Sequence, residues 1–122
     1  MDALQIVLQL VAGLGIYNVW LLRFCRKTPY RGGDACDMRS EFAHYGLPGW
    51  SVFVVGFAKL AAATGLLIGL AFPALVLPSA LLLALLMLGA LAMHLKVRDP
   101  WSKSLPALSL LVISLVIAML AA

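Results

Sequence analysis

Charged side chains are scarce in this sequence. Only 11% of its 122 residues are Asp, Glu, Lys or Arg, whereas a typical soluble domain has about 25%. With 64% hydrophobic residues and a mean hydropathy of +1.05, the chain has too few polar side chains to cover a water-facing surface. This composition excludes an ordinary soluble domain and predicts one membrane domain over residues 1–122.

Acidic and cysteine residues are also few. None of the five Asp and Glu residues falls in a long hydrophobic run, which argues against proton-coupled export of cations through a membrane carboxylate. The two cysteines, Cys25 and Cys36, match neither a CxxC motif nor a zinc-ligand spacing, and we expect no metal site. Both thiols should stay reduced if their loop is cytoplasmic.

Long hydrophobic runs are the main feature that the sequence does have. They cover residues 3–22, 50–70, 78–95 and 105–122. At 1.5 Å per residue, a helix of about 20 residues crosses a hydrocarbon core of roughly 30 Å. We therefore predict an all-α, polytopic membrane protein built as a four-transmembrane-helix bundle.

The first loop is predicted to contain a short interfacial helix over residues 34–45. Asp34 can cap its start, Gly46 suits the position after its end, and Pro48 prevents its continuation. Glu41 and His44 lie one turn apart on this helix. They are candidates for a proton-handling pair, and the alternative is two residues of a solvated face.

The distribution of basic residues predicts the orientation. Eight of the nine Lys and Arg residues lie in residues 23–39 and 96–103, the two loops that join successive spans. The positive-inside rule then places both loops in the cytoplasm and both termini outside. Because these residues form no continuous stripe, we expect no nucleic-acid partner.

The ninth basic residue, Lys59, lies inside the second run. A lysine at such a depth costs about 2.5–3.5 kcal/mol on insertion scales, so it needs a partner, a polar cavity or a path to the interface. His94, Asn18 and Tyr17 are expected in the same third of the membrane and are candidate ligand-binding residues with it. The alternative is a structural lysine bonded to carbonyl groups, Asn18 or Tyr17.

Two further features concern packing. Ala61, Gly65 and Gly69 form a stripe of small residues that suits a close helix neighbour, including a second copy of the chain. Tyr17 and Trp20 suit an aromatic belt at the membrane interface.

Four segments of the sequence carry a resemblance to a known family: SEFAHYGLPGW, GFAKLAAATGLLIGL, MLGALAMHLKVRDP and SLPAL, between residues 40 and 108. They resemble the DoxX-like family of small bacterial membrane proteins. The resemblance implies a four-helix protein of the bacterial inner membrane. Some relatives are subunits of a thiosulfate–quinone oxidoreductase and others accompany redox or metabolite-modifying enzymes, so the family implies no single activity.

The expected function is that of an accessory subunit. The sequence has no paired-cysteine redox motif, metal cluster or phosphate loop, so catalysis by this chain alone is poorly supported. A membrane pocket could instead offer a quinone- or lipid-like molecule to a redox partner, with Lys59 and His94 donating hydrogen bonds or protons. The alternatives are a membrane scaffold or chaperone for a partner protein and a small-molecule transporter.

Overall fold

The computed structural model describes residues 2–22 and 38–122, and both ranges are almost wholly helical. The helices are α1 (Ala3–Tyr17), α2 (Met38–His44), α3 (Ser51–Ile68), α4 (Val76–Lys96) and α5 (Leu105–Ala121). A π-helical turn, Asn18–Leu22, continues α1, and 3-10 turns at Pro73–Leu75 and Trp101–Ser104 precede α4 and α5. These ranges contain no β-strand, and the predicted all-α class is confirmed.

Four helical segments are long and apolar enough to cross a membrane, as predicted: Ala3–Leu21, Ser51–Ile68, Pro73–Lys96 and Trp101–Ala121. The start of the third differs from the prediction. Helix α4 begins at Val76, two residues before the expected start at Pro78. Pro78 is tolerated as the third residue of the helix because backbone N–H groups in the first turn have no partner within the helix.

The long helices form a bundle in which each one contacts two neighbours. Helix α1 contacts α3 and α5, and α4 also contacts α3 and α5. The start of α1, the α3–α4 connection and the end of α5 meet at one end, where Gln5, Pro73 and Leu120 line a small cavity of about 190 Å³. We call this the termini end. The opposite end, which carries α2 and the α4–α5 connection, is the loop end.

The bundle is apolar on its outside as well as inside. Fully buried side chains include Ala63, Leu66, Leu83 and Ile117. Phe57, Leu95 and Met119 are nevertheless more than three-quarters exposed. A helix that is apolar on all sides suits a bundle surrounded by lipid.

The stripe of small residues on α3 is used partly within the chain. A Cβ atom on Gly65 would lie 2.0 Å from Oγ of Ser79, and one on Gly69 would lie 2.6 Å from a methyl group of Val76. These glycines therefore allow α3 to approach α4 closely, while Ala61 is exposed. Association of two chains through the Ala61/Gly65/Gly69 face remains a prediction.

A chain of hydrogen bonds joins α1 to α3 near the termini end. The Asp2 carboxylate accepts from the backbone N–H of Gln5 at 2.8 Å and caps α1. The Gln5 side chain donates to that of Gln9 at 3.0 Å, and Gln9 donates to the Leu66 carbonyl at 2.8 Å. Both glutamines are buried, so polar atoms inside the apolar bundle are satisfied by each other and by the backbone.

Helix α2 covers the loop end of the bundle. It ends in a Schellman motif: Gly46 has a φ of +78°, its N–H donates to Ala43, and the N–H of Leu47 donates to Phe42. Gly46 thus occupies the predicted position after the helix. The earlier part of the predicted helix, residues 34–37, lies outside the described residues, as do Cys25 and Cys36.

Candidate ligand cavity

A cavity of about 560 Å³ lies at the loop end of the bundle. All five helices contribute to its walls, and most of the lining side chains are apolar. Its polar and charged lining residues are Asn18, Glu41, Tyr45, Lys59, His94 and Lys103. Ligand sites commonly combine an apolar wall with a few convergent polar groups in a volume of this order.

The π-helical turn at the end of α1 places Trp20 on one wall of the cavity. Such turns are often found at functional sites, because they change the direction in which the following side chains point. Trp20 is buried, and a Cβ atom on Gly56 would lie 2.6 Å from its ring. Gly56 therefore makes room for the indole, and Trp20 lies inside the protein instead of in the predicted aromatic belt.

Lys59 extends from α3 into this cavity. Its ammonium nitrogen lies 5.3 Å from the centre of the Trp20 ring, a cation–π contact. Such a contact contributes about 0.5–2 kcal/mol, depending on how far the cation is desolvated. The Lys59 ammonium is also attracted by the Glu41 carboxylate on α2. In the described ranges no hydrogen bond holds this ammonium.

His94 lies on the last turn of α4, buried, with its imidazole on the cavity wall. Its Nδ1 atom is 2.9 Å from Oδ2 of Asp99. A carboxylate accepts hydrogen bonds, so Nδ1 carries the proton and Nε2 is the ring nitrogen available to a ligand. Lys103 extends this polar chain, since its ammonium is 4.0 Å from the other oxygen of Asp99.

A second Schellman motif gives this pair its geometry. The N–H of Asp99 donates to the His94 carbonyl at 3.0 Å, and that of Arg98 donates to Leu95 at 3.1 Å. Arg98 has a φ of +57°, a left-handed conformation that glycine adopts more easily. The turn folds Asp99 back over the end of α4, so residues five apart in sequence form a hydrogen-bonded pair.

Aromatic side chains in α2 and directly after it close the loop end of the cavity. Phe42 meets the Trp20 ring edge to face, with ring centres 6.1 Å apart, and Tyr45 meets His94 in the same way at 5.8 Å. The Tyr45 hydroxyl donates to Glu41 at 2.7 Å. The Lys96 ammonium donates to the Tyr45 carbonyl at 2.8 Å and so connects α2 to α4.

The structure brings some of the predicted site residues together and separates others. Lys59, His94 and Asn18 all line the cavity. Tyr17 is absent from the lining residues, and its hydroxyl is hydrogen-bonded to the Thr64 hydroxyl instead.

The two residues of the predicted proton-handling pair are in different surroundings. Glu41 is buried on the cavity wall and accepts from Tyr45, whereas the His44 side chain is exposed. Among the described residues, no group of three or more His, Cys, Asp and Glu side chains could hold a metal ion. Proton handling by Glu41 and His44 stays a prediction.

Sequence reasoning did not identify Asp99, Trp20 or Tyr45 as site residues. Asp99 did carry a signal, because a carboxylate just after a helix C-terminus faces the negative end of the helix dipole and needs a partner. Trp20 and Tyr45 carried none, since aromatic residues near the membrane interface are expected in any protein of this class.

The arrangement suits the polar head of an amphiphilic molecule. The Lys59 ammonium donates hydrogen bonds, and Nε2 of His94 accepts one, or donates one when the ring is protonated. Between and around them the wall is hydrocarbon, formed by side chains such as Leu86, Met87 and Leu110. A molecule with oxygen acceptors in its head group and an apolar body matches both the polar groups and the apolar wall of the cavity.

Comparison with known proteins agrees with this architecture. The sequence profile of the DoxX-like family matches residues 34–118, which include α2, α3, α4 and most of α5. The matched region contains Lys59, His94 and Asp99, while Asn18 and Trp20 precede it. No curated protein and no solved structure gives a match. Because the profile covers more than half of the chain, the protein belongs to the DoxX-like family.

Proposed function

We propose that this small integral membrane protein holds the polar head of a quinone- or lipid-like molecule in the loop-end cavity. The observation that carries the proposal is the Lys59 ammonium, which lines the cavity 5.3 Å from the centre of the Trp20 ring. A cation at membrane depth gains most from an oxygen acceptor. A quinone carbonyl or a lipid phosphate supplies one.

His94 supports the same function from another wall of the cavity. Asp99 fixes the ring through Nδ1 and leaves Nε2 for the ligand. If Nε2 takes a proton from a ligand hydroxyl, the Asp99 carboxylate faces the positive charge that forms on the ring. The pair therefore suits a head group that exchanges protons, such as that of a quinone and its reduced form.

We propose an accessory role beside a redox partner. Reduction of a quinone needs two electrons as well as two protons, and this sequence has no motif that carries electrons. In this role the chain holds and orients the head group, and the partner supplies or removes the electrons.

The proposed location is the bacterial inner membrane, with the loop end facing the cytoplasm. The eight basic residues in the two loops support this orientation. Reporter fusions after Ala122 and between Gly32 and Gly33 test it. A reporter that is active only outside the cytoplasm should be active when it is fused after Ala122 and inactive when it is inserted between Gly32 and Gly33. The reverse result would overturn the orientation.

The test of ligand binding uses the fluorescence of Trp20. Replacing the exposed residues Trp50 and Trp101 by Phe leaves Trp20 as the sole tryptophan. This single-tryptophan protein, in lipid nanodiscs, is titrated with a benzoquinone carrying a decyl tail, because quinones quench indole fluorescence on contact. Lysophosphatidylglycerol is then added as a competitor, which distinguishes a quinone site from a site for anionic lipid.

Lys59→Met is the decisive variant and Lys59→Arg its control. Loss of a hydrogen bond from a charged donor costs about 1.5–3 kcal/mol, which corresponds to a Kd about 10-fold to 140-fold higher. Lys59→Arg keeps the positive charge and can still stack on Trp20, so its Kd should rise less than that of Lys59→Met. An unchanged Kd in well-folded Lys59→Met protein would overturn the proposal.

A further inference from the structure

Helices α3 and α4 touch closely near the termini end. Gly65 of α3 and Gly69, which directly follows this helix, lie against Ser79 and Val76 of α4, so closely that neither glycine could carry a Cβ atom without a shift. In membrane proteins, small residues that face a neighbouring helix allow the two helix backbones to approach each other closely.

The same two helices are separated by the cavity near the loop end. Ser79, Leu86 and Met93 recur every seven residues and therefore lie in one row along α4. The row starts in contact with Gly65, but Leu86 and Met93 line the cavity, and Val55 and Lys59 of α3 line it as well. The two helices thus diverge from the termini end towards the loop end, and the cavity lies in the gap.

The gap reaches the outer surface of the bundle. Leu85 lines the cavity, yet its side chain is 66% exposed. Gly89, one turn further along α4, also lines the cavity and is exposed, and a Cβ atom on it would meet nothing within 4 Å. Both residues belong to a membrane span, so the surface that they reach is the surface that faces lipid.

The loop end of the cavity is covered by protein. Phe42 of α2 and Tyr45, which directly follows this helix, are buried there against Trp20 and His94, and Lys96 donates a hydrogen bond to the Tyr45 carbonyl. A ligand from water would have to displace these contacts, whereas one from the bilayer reaches the cavity beside Leu85 and the open space at Gly89.

We propose that the gap between α3 and α4 is a side opening through which a membrane-dissolved amphiphile enters, its head moving to Lys59 and its tail remaining in the lipid. This inference rests on the proposed function for the identity of the head group. It adds that the ligand has a hydrocarbon tail and enters from the bilayer. A water-soluble metabolite would have neither property.

The opening is tested with the single-tryptophan protein in vesicles of phosphatidylcholine whose acyl chains carry bromine. Bromine quenches indole fluorescence at short range, and Trp20 is a buried residue on the cavity wall. We expect strong quenching by the brominated chains and weak quenching by iodide added to the water. Stronger quenching by iodide than by the brominated chains would overturn the side opening.

Gly89→Phe should block the opening, because the new side chain extends from the rim into open space. We expect it to remove most of the quenching by brominated chains. Ala61→Phe is the matched control, since Ala61 is exposed on α3 and does not line the cavity. Equal quenching in the Gly89→Phe and Ala61→Phe proteins would contradict the inference.

The same proteins separate this inference from the proposed function. If the decyl-tailed benzoquinone binds and Lys59→Met weakens it, but Gly89→Phe changes neither binding nor quenching, the ligand site stands and the side opening is wrong. If brominated chains quench Trp20 and Gly89→Phe prevents it, but neither quinone nor lysolipid binding depends on Lys59, the opening stands and the proposed head-group site is wrong.

Discussion

Nδ1 of His94 lies 2.9 Å from Oδ2 of Asp99, and the backbone N–H of Asp99 donates to the His94 carbonyl at 3.0 Å. The two residues are thus joined through both side chain and backbone. The turn that ends α4 also positions the imidazole of the cavity. Stability of the helix end and orientation of a candidate ligand-binding group therefore depend on the same few atoms.

Replacing Asp99 by Asn should destabilise the protein by about 1 kcal/mol, because a hydrogen bond to a charged group (about 1.5–3 kcal/mol) is exchanged for one to a neutral amide oxygen (about 0.5–1.5 kcal/mol). The amide is similar in size but has no charge to hold the imidazole, so the ring should also become more mobile. Unfolding in detergent measures the first effect, and the NMR linewidths of the His94 ring measure the second.

Asp2→Asn is the matched control, because Asp2 also accepts a hydrogen bond but lies at the start of α1. Asn caps a helix about as well as Asp, so this variant should keep its stability. If Asp99→Asn is as stable as Asp2→Asn, and the His94 ring is equally ordered in both variants, the His94–Asp99 pair neither stabilises the protein nor holds the imidazole in place.

Arg98 and Gly46 occupy equivalent positions in two Schellman motifs, with φ values of +57° and +78°. A left-handed conformation costs a residue with a Cβ atom about 1–2 kcal/mol. Arg98→Gly should therefore stabilise the protein. The gain is limited to about 1 kcal/mol, because glycine loses more conformational freedom on folding than arginine does. Gly46→Ala should destabilise it by about 1 kcal/mol.

The pair of variants is compared by unfolding in one detergent, so that each serves as the control of the other. The Cβ atom in Gly46→Ala would lie 3.6 Å from the Lys96 ammonium, an ordinary contact, so backbone strain is the main expected effect. Changes of the same sign in both variants would contradict this account.

The sequence was sufficient for the parts of the fold that depend on local pattern. Hydrophobic runs of spanning length gave the four long helices, and Gly46 followed by Pro48 indicated the end of α2. Local pattern was insufficient where a residue adopts a conformation that it seldom prefers. Arginine is an uncommon left-handed residue, so the turn at Arg98, and with it the pairing of Asp99 with His94, was not predicted.

The site was predictable only in part for a related reason. Lys59 was identified because a charge inside a hydrophobic run is expensive wherever the helix packs. Its neighbours depend on how the helices pack. Trp20 reaches Lys59 through a π-helical turn for which the sequence around Asn18 carried no recognised signal, and Tyr17 bonds to Thr64 on the neighbouring helix.

Gly56→Ala should disturb the cavity wall. The new Cβ atom would lie 2.6 Å from the Trp20 ring, which also packs against Phe42. Overpacking of this kind typically costs about 1–3 kcal/mol. We expect lower stability and a shifted emission maximum of Trp20 in the single-tryptophan protein. Gly89→Ala is the control, since its Cβ atom meets nothing within 4 Å, and a shift of equal size in that variant would exclude a specific clash.

Gln9→Leu tests the polar connection between α1 and α3. The Leu66 carbonyl is in the last turn of α3, where carbonyl groups lack partners within the helix. Leu70 donates to Leu67 instead, and Gln9 supplies the hydrogen bond that Leu66 accepts.

Removing this donor should cost about 1 kcal/mol, and up to about 2 kcal/mol, because hydrogen bonds between membrane helices are worth about that much. Gln5→Leu should cost less, since it removes the donor to Gln9 but keeps the bond from Gln9 to α3. Unfolding of both variants in the same detergent provides the comparison. A larger loss in Gln5→Leu than in Gln9→Leu would mean that the termini end is held together at Gln5, beside the small cavity, instead of through the Leu66 carbonyl.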